Sequence, residues 1–148
     1  MEHTESAEET RRQIIKRTQR ALKGSHSPEE QGASLRTLLE NLPIIQPDAP
    51  VLRDLPSEKA ARWNAAEVVG YLTLQAWVID CPEVSAGLES IADEPDLLII
   101  TYAMHVFSYS LVQVRVSIAR TADDAFLCWR HISDQGSDPN GGRYESLG

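Results

Sequence analysis

The sequence predicts an all-α fold, an irregular bundle of five or six helices with a proline-rich connector. Three observations lead there. Leu35, Leu38, Leu39 and Leu42 recur at helical spacing behind a strong start signal, Ser27-Pro28-Glu29-Glu30. Between Glu58 and Asp80 the residues Ala61, Val68, Val69, Leu72, Ala76 and Ile79 return to a common helical side. The stretch from Leu97 to Arg120 holds neither glycine nor proline, and about two dozen residues exceed the usual length of a strand.

The elements follow in order. Ser6 and Glu9 have capping-box spacing, so a first helix is expected to run to Lys23 and to stop at Gly24. Its apolar side is thin, limited to Ile14, Ile15, Ala21 and Leu22, which commits it only loosely to the core. At the second helix, Pro28 at the first helical position needs no donor, and Glu29 and Glu30 face the positive end of the dipole. Pro43, Pro47, Pro50 and Pro56 then remove amide donors and restrict their predecessors to extended geometry. Ile44, Ile45, Val51, Leu52 and Leu55 make this connector too apolar for a free linker, so it is expected to lie across the domain.

Ser57 is expected to open a third, central helix, its apolar side widened by Trp63, Tyr71 and Trp77, and Glu83 to Ile91 a short one. In the last third, Val112, Val114, Val116 and Ile118 alternate with Gln113, Arg115 and Ser117 as in a strand. That pattern supports an alternative, α+β with a C-terminal β-hairpin turning at Thr121 to Asp124 and returning over Ala125 to Ile132. Length favours the helical assignment, with Ala125, Phe126, Trp129 and Ile132 as the buried side of a final helix. Residues 1–133 are expected to form a single domain and residues 134–148, rich in turn formers, a disordered tail. Trp63, Trp77, Phe107 and Trp129 are the expected anchors, since burying such a side chain contributes roughly 1.5–3 kcal/mol.

Composition bounds the function classes. With 148 residues, 42% apolar and 24% charged, the chain can bury a sizeable core and is not disordered throughout. Two cysteines, Cys81 and Cys128, exclude a disulfide-stapled scaffold. With an acidic, polar start (MEHTESAEET) instead of a secretory leader, they read as free thiols of a cytoplasmic protein. Leu97 to Val114 lacks charged residues but contains Thr101, His105, Ser108, Ser110 and Gln113, so a buried helix is expected rather than a membrane span. The net charge is −8, from 14 basic and 22 acidic residues. Six of those 14 cations, Arg11, Arg12, Lys16, Arg17, Arg20 and Lys23, nevertheless fall within residues 11–23, where no acidic residue occurs.

Little else points to chemistry. Cys128 and His131, three apart on a helix, would supply half of a zinc site, but no second pair of ligands matches them, and neither metal nor cofactor is expected. His105, between Tyr102 and Tyr109 in the most apolar stretch, reads first as a core histidine; a small-molecule or cofactor pocket lined by these three is the functional alternative. Asp80 and the pair Asp123 and Asp124 stand at expected helix boundaries, where capping accounts for them. Nucleophile elbow, phosphate-binding glycine loop, paired zinc-binding histidines and calcium loop are all missing, so no enzymatic activity is expected.

The sequence thus points to a non-enzymatic intracellular protein–protein interaction module, a regulatory, adaptor or assembly component. Its contact surface is expected to combine Arg12, Lys16, Arg17 and Arg20 of the basic helix with Ile44, Ile45 and Leu52 of the connector, the partner being another protein or a second copy. Nucleic acid is the less favoured partner. No aromatic row interleaves the basic residues, and Glu2, Glu5, Glu8, Glu9, Glu29 and Glu30 flank them.

Overall fold

A computed structural model describes residues 7–23, 27–74, 84–94, 96–106, 109–122, 124–134 and 142–145. The elements are α1 (Ala7–Lys23), α2 (Pro28–Glu40), β1 (Ala61–Trp63), α3 (Ala65–Leu74), β2 (Val84–Glu94), β3 (Leu97–Val106), β4 (Tyr109–Ala122), β5 (Ala125–Asp134) and β6 (Arg143–Glu145). Two 3-10 turns, Pro50–Asp54 and Ser57–Lys59, punctuate the connector. The six strands form one antiparallel sheet in which β2, β3, β4 and β5 are consecutive neighbours. The far edge of β5 is shared: β1 pairs with Phe126–Cys128 and β6 with Arg130–Ile132.

The architecture is therefore mixed α+β and not an all-α bundle. The stretch from Leu97 to Arg120 is two strands, β3 and β4, which pair from Val106↔Tyr109 to Leu98↔Ile118. Its length misled because the chain reverses between Val106 and Tyr109 with no glycine or proline to mark the place. The β-branched and aromatic residues packed there suit a pleated surface, and tertiary pairing satisfies their backbone groups. The short helix expected over Glu83 to Ile91 is instead β2, the outermost strand. The final helix expected after Thr121 is β5, so Phe126 and Trp129, expected on one side, lie on opposite faces of the sheet. Three residues of the expected tail form β6. Ser6, Asp80, Cys81, Trp77 and Phe107 lie outside the described residues.

Each face of the sheet has its own cover. Leu98, Ile100, Val114, Val116, Ile118, Phe126 and Cys128 face the helices and pack on Ile14, Ile15, Leu35, Leu38, Leu39, Val68 and Leu72. The expected core leucines, Leu35, Leu38 and Leu39 of α2 and Leu42 just beyond it, are buried, the first three wholly so. The other face carries Leu97, Ala119 and Trp129, covered by Ile45, Val51, Leu52 and Leu55 of the connector. Two hydrogen bonds fasten this second cover: the Ile45 amide donates to the Arg120 carbonyl (2.8 Å), and the Trp129 indole Nε1 donates to the Pro56 carbonyl (3.0 Å).

Helix ends are fixed partly in sequence and partly in space. At α2 the expected start is the observed one: Ser27 caps it in a full capping box with Glu30. Its carbonyl end has no basic residue of its own in the last turn. Arg120 of β4 supplies one, donating from Nη1 to the Glu40 carbonyl (2.7 Å) and the Leu42 carbonyl (3.2 Å). The third helix opens not at Ser57 but at Asn64, which forms a capping box with Glu67 (2.8 and 2.9 Å). Asp124, in the left-handed conformation at the β4–β5 turn (φ 61°), adds its carboxylate as acceptor for the Ala65 amide at 3.0 Å. Among the described residues, no helix is long and apolar enough to cross a membrane.

Candidate partner-binding surface

Helix α1 is held by one side only. Ile14, Ile15, Thr18 and Ala21 are buried against α2 and the sheet. Thr18 Oγ1 donates to the Ile14 carbonyl (2.8 Å) and approaches the Ser34 carbonyl at 3.4 Å, which brings the two helices close. Across the same seam, Gln31 Nε2 donates to the Ala21 carbonyl at 3.2 Å, and Gln19 Nε2 reaches the Ile91 carbonyl of β2 at 3.5 Å. The outer side presents Arg12, Lys16, Arg17, Arg20 and Lys23, all exposed. Arg12 is paired with Glu9 at 2.7 Å. Among the described residues, no carboxylate pairs with Lys16, Arg17, Arg20 or Lys23. Two shallow hollows open beside them and share Arg20: one of about 390 Å³ against Ala33 and Ser34 of α2, and one of about 600 Å³ bounded by Lys16, Gln19 and Lys23.

The structure brings together Lys16, Arg17 and Arg20 but not the apolar half of the expected surface. Ile45 is buried and Leu52 half-buried beneath the sheet, so both serve the chain's own core. Ile44 remains outside, 51% exposed, beside a bridge to Arg120. Of the pocket expected from Tyr102, His105 and Tyr109, the described side chains include Tyr102 alone. Tyr102 is buried on the helix face and donates its hydroxyl to the Leu72 carbonyl at 3.3 Å; that burial, with Tyr71 nearby, raises its pKa. His105 lies in β3 opposite Ser110, and Tyr109 in β4 opposite Val106; their side chains fall outside the described residues.

Cys128 and His131 also part. Three positions along a strand place them on opposite faces: Cys128 sits in the helix-face core, its thiol pushed up to about 12 by burial, while His131 stands on the other face beside Tyr144. Desolvation, then the neighbouring Arg115 charge, lower the His131 pKa. Among the described residues no three His, Cys, Asp or Glu side chains group as metal ligands would.

One constellation escaped the sequence reading. Arg130, on the helix face of β5, donates from Nη1 to the Tyr71 hydroxyl (3.2 Å) and meets Glu145 of β6 at 3.5 Å. Tyr71 in turn stacks obliquely on Trp63, with ring centroids 5.2 Å apart. No spacing signal links residues 63, 71, 130 and 145; only the sheet gathers them. No family model, no curated protein and no solved structure matches the chain.

Proposed function

We propose that this chain is a non-catalytic binding protein that docks the cationic outer side of α1 onto an acidic surface of a protein partner. The observation that carries the reading is the row Lys16, Arg17, Arg20 and Lys23, exposed and unpaired among the described residues, on a chain of net charge −8. Free cations on a helix fixed by its opposite side form a rigid charged ridge, and such a ridge accelerates and orients encounter with a surface of opposite sign. A protein partner fits better than nucleic acid because the ridge offers no aromatic ring for a base to stack on.

Titration of the full chain with a poly-glutamate peptide and with a DNA oligonucleotide of equal charge, across a salt series, tests the proposal. The expected result is peptide binding that weakens with salt and disappears in the K16E/R17E/R20E variant. Preferential DNA binding, or peptide binding untouched by the three reversals, would overturn it.

A further inference from the structure

The edge of β5 at Arg130–Ile132 is occupied by a strand of three residues. Strand β6 makes three register pairs, Arg130↔Glu145, His131↔Tyr144 and Ile132↔Arg143, and none of its residues is buried. Its side chains divide between the faces. Tyr144 packs edge-on against the His131 ring, centroids 4.9 Å apart, while Glu145 lies by Arg130 on the helix side. Gly142 enters this edge at φ 138°, where a Cβ would stand 2.6 Å from the His131 ring.

The fit to Arg130 is poor. Glu145 approaches one guanidinium nitrogen at 3.5 Å, well beyond the roughly 2.7–2.9 Å of a charge-assisted hydrogen bond, and holds its own neighbour Arg143 more closely, at 2.9 Å. Arg130 Nε is buried with no hydrogen-bond partner among the described residues. An arginine has five donors, and an unmet buried donor is costly, so this guanidinium favours a carboxylate that reaches it better than Glu145 does.

We propose that the β5 edge at Arg130–Ile132 is a strand-addition site for an extended partner segment carrying an aromatic residue followed by an acidic one, and that β6 is its internal, displaceable occupant. Backbone pairing supplies the attachment; the aromatic ring lands on His131 on one face and the carboxylate on Arg130 on the other. Strand β6, with few buried contacts, belongs to the least stable part of the molecule and exchanges without unfolding the sheet. The site is separate from the α1 ridge and stands or falls independently of it.

The test uses the full chain with a Tyr144→Ala/Glu145→Gln double change, which loosens β6 and leaves β5 intact, and as probe a labelled peptide of residues 142–148, GRYESLG. Saturable binding at millimolar peptide is expected, at least about tenfold tighter than to the unchanged chain, where β6 competes. A peptide with Glu145→Gln, or adding Arg130→Gln to the protein, should weaken binding about tenfold, while circular dichroism shows an intact sheet. Gly142→Val provides an independent loosened chain and should behave likewise. Absence of binding to both loosened chains, or binding indifferent to the carboxylate and to Arg130, would overturn the proposal.

Discussion

The two faces of the sheet are covered in different ways, and the difference explains which surfaces are left for function. On one face three helices bring a continuous set of leucines, isoleucines and valines to β3, β4 and β5. Each helix needs only its inner side for this, so α1 keeps an outer side of lysines and arginines. On the other face a connector with no long helix covers a smaller cluster around Trp129 and Ala119, and spends most of its apolar residues on it. The helical cover has an outer side to offer a partner. The connector is chiefly structural, which is why Ile45 and Leu52 do not join the proposed contact surface.

Packing variants should break this comparison most sharply. Leu38→Ala on the helical cover removes a fully buried side chain from the larger core and is expected to cost toward the upper end of roughly 2–5 kcal/mol, whereas Ile45→Ala on the connector should fall toward the lower end. Chemical denaturation measures both; equal losses would mean the two covers are equivalent.

A second effect, a loss of stability at high pH, belongs to the helical face. Cys128 ionises at about 12 when folded and near 9.0 when exposed, so the folded chain retains its proton where the unfolded chain has lost it. Stability is then unaffected below pH 9 and falls above it, by about 1.4 kcal/mol per pH unit at most. Cys128→Ala should flatten the loss between pH 9 and 10. The opposite face carries the opposite dependence. The lowered pKa of His131 means that the unfolded chain takes up the proton first, so stability declines as pH falls below about 6.5, and His131→Gln should reduce that decline. The effect is small because the ring is partly exposed.

The tie between the β4–β5 turn and α3 sharpens the picture further. Asp124→Ala removes an acceptor at the helix start and should cost about 0.5–2 kcal/mol, read as a lowered thermal midpoint. Smallest of all, K16E/R17E/R20E should leave stability within about 0.5 kcal/mol while altering binding, since these side chains are exposed. A large stability loss there would mean that the ridge is structural.

Much of the first half was legible. The capping box at Ser27 and Glu30, the leucines of α2, the span of α1 to Lys23 and a connector crossing the domain are local or periodic signals, and the structure follows them. The second half was misread because two criteria conflicted. Alternation at Val112–Ile118 indicates a strand, while the unbroken length from Leu97 to Arg120 indicates a helix, and no glycine or proline divides the stretch. Of the candidate surface, the cationic side of α1 was visible as a charge run. The burial of Ile45 was not.

What the sequence alone determined is what neighbours in the chain decide: where α1 and α2 lie, which of their residues are apolar, and that six cations gather within thirteen positions. Tertiary structure alone decided which residues meet across the sheet. Arg120 closing α2, Asp124 capping α3, Trp129 bonding to Pro56 and Arg130 joining Tyr71 to Glu145 all span from 15 to 80 positions. The physical reason is that a helix satisfies its backbone within one segment and so declares itself locally. A strand's backbone groups need a partner from elsewhere, and no residue of β5 states in advance that β1 and β6 will share its edge.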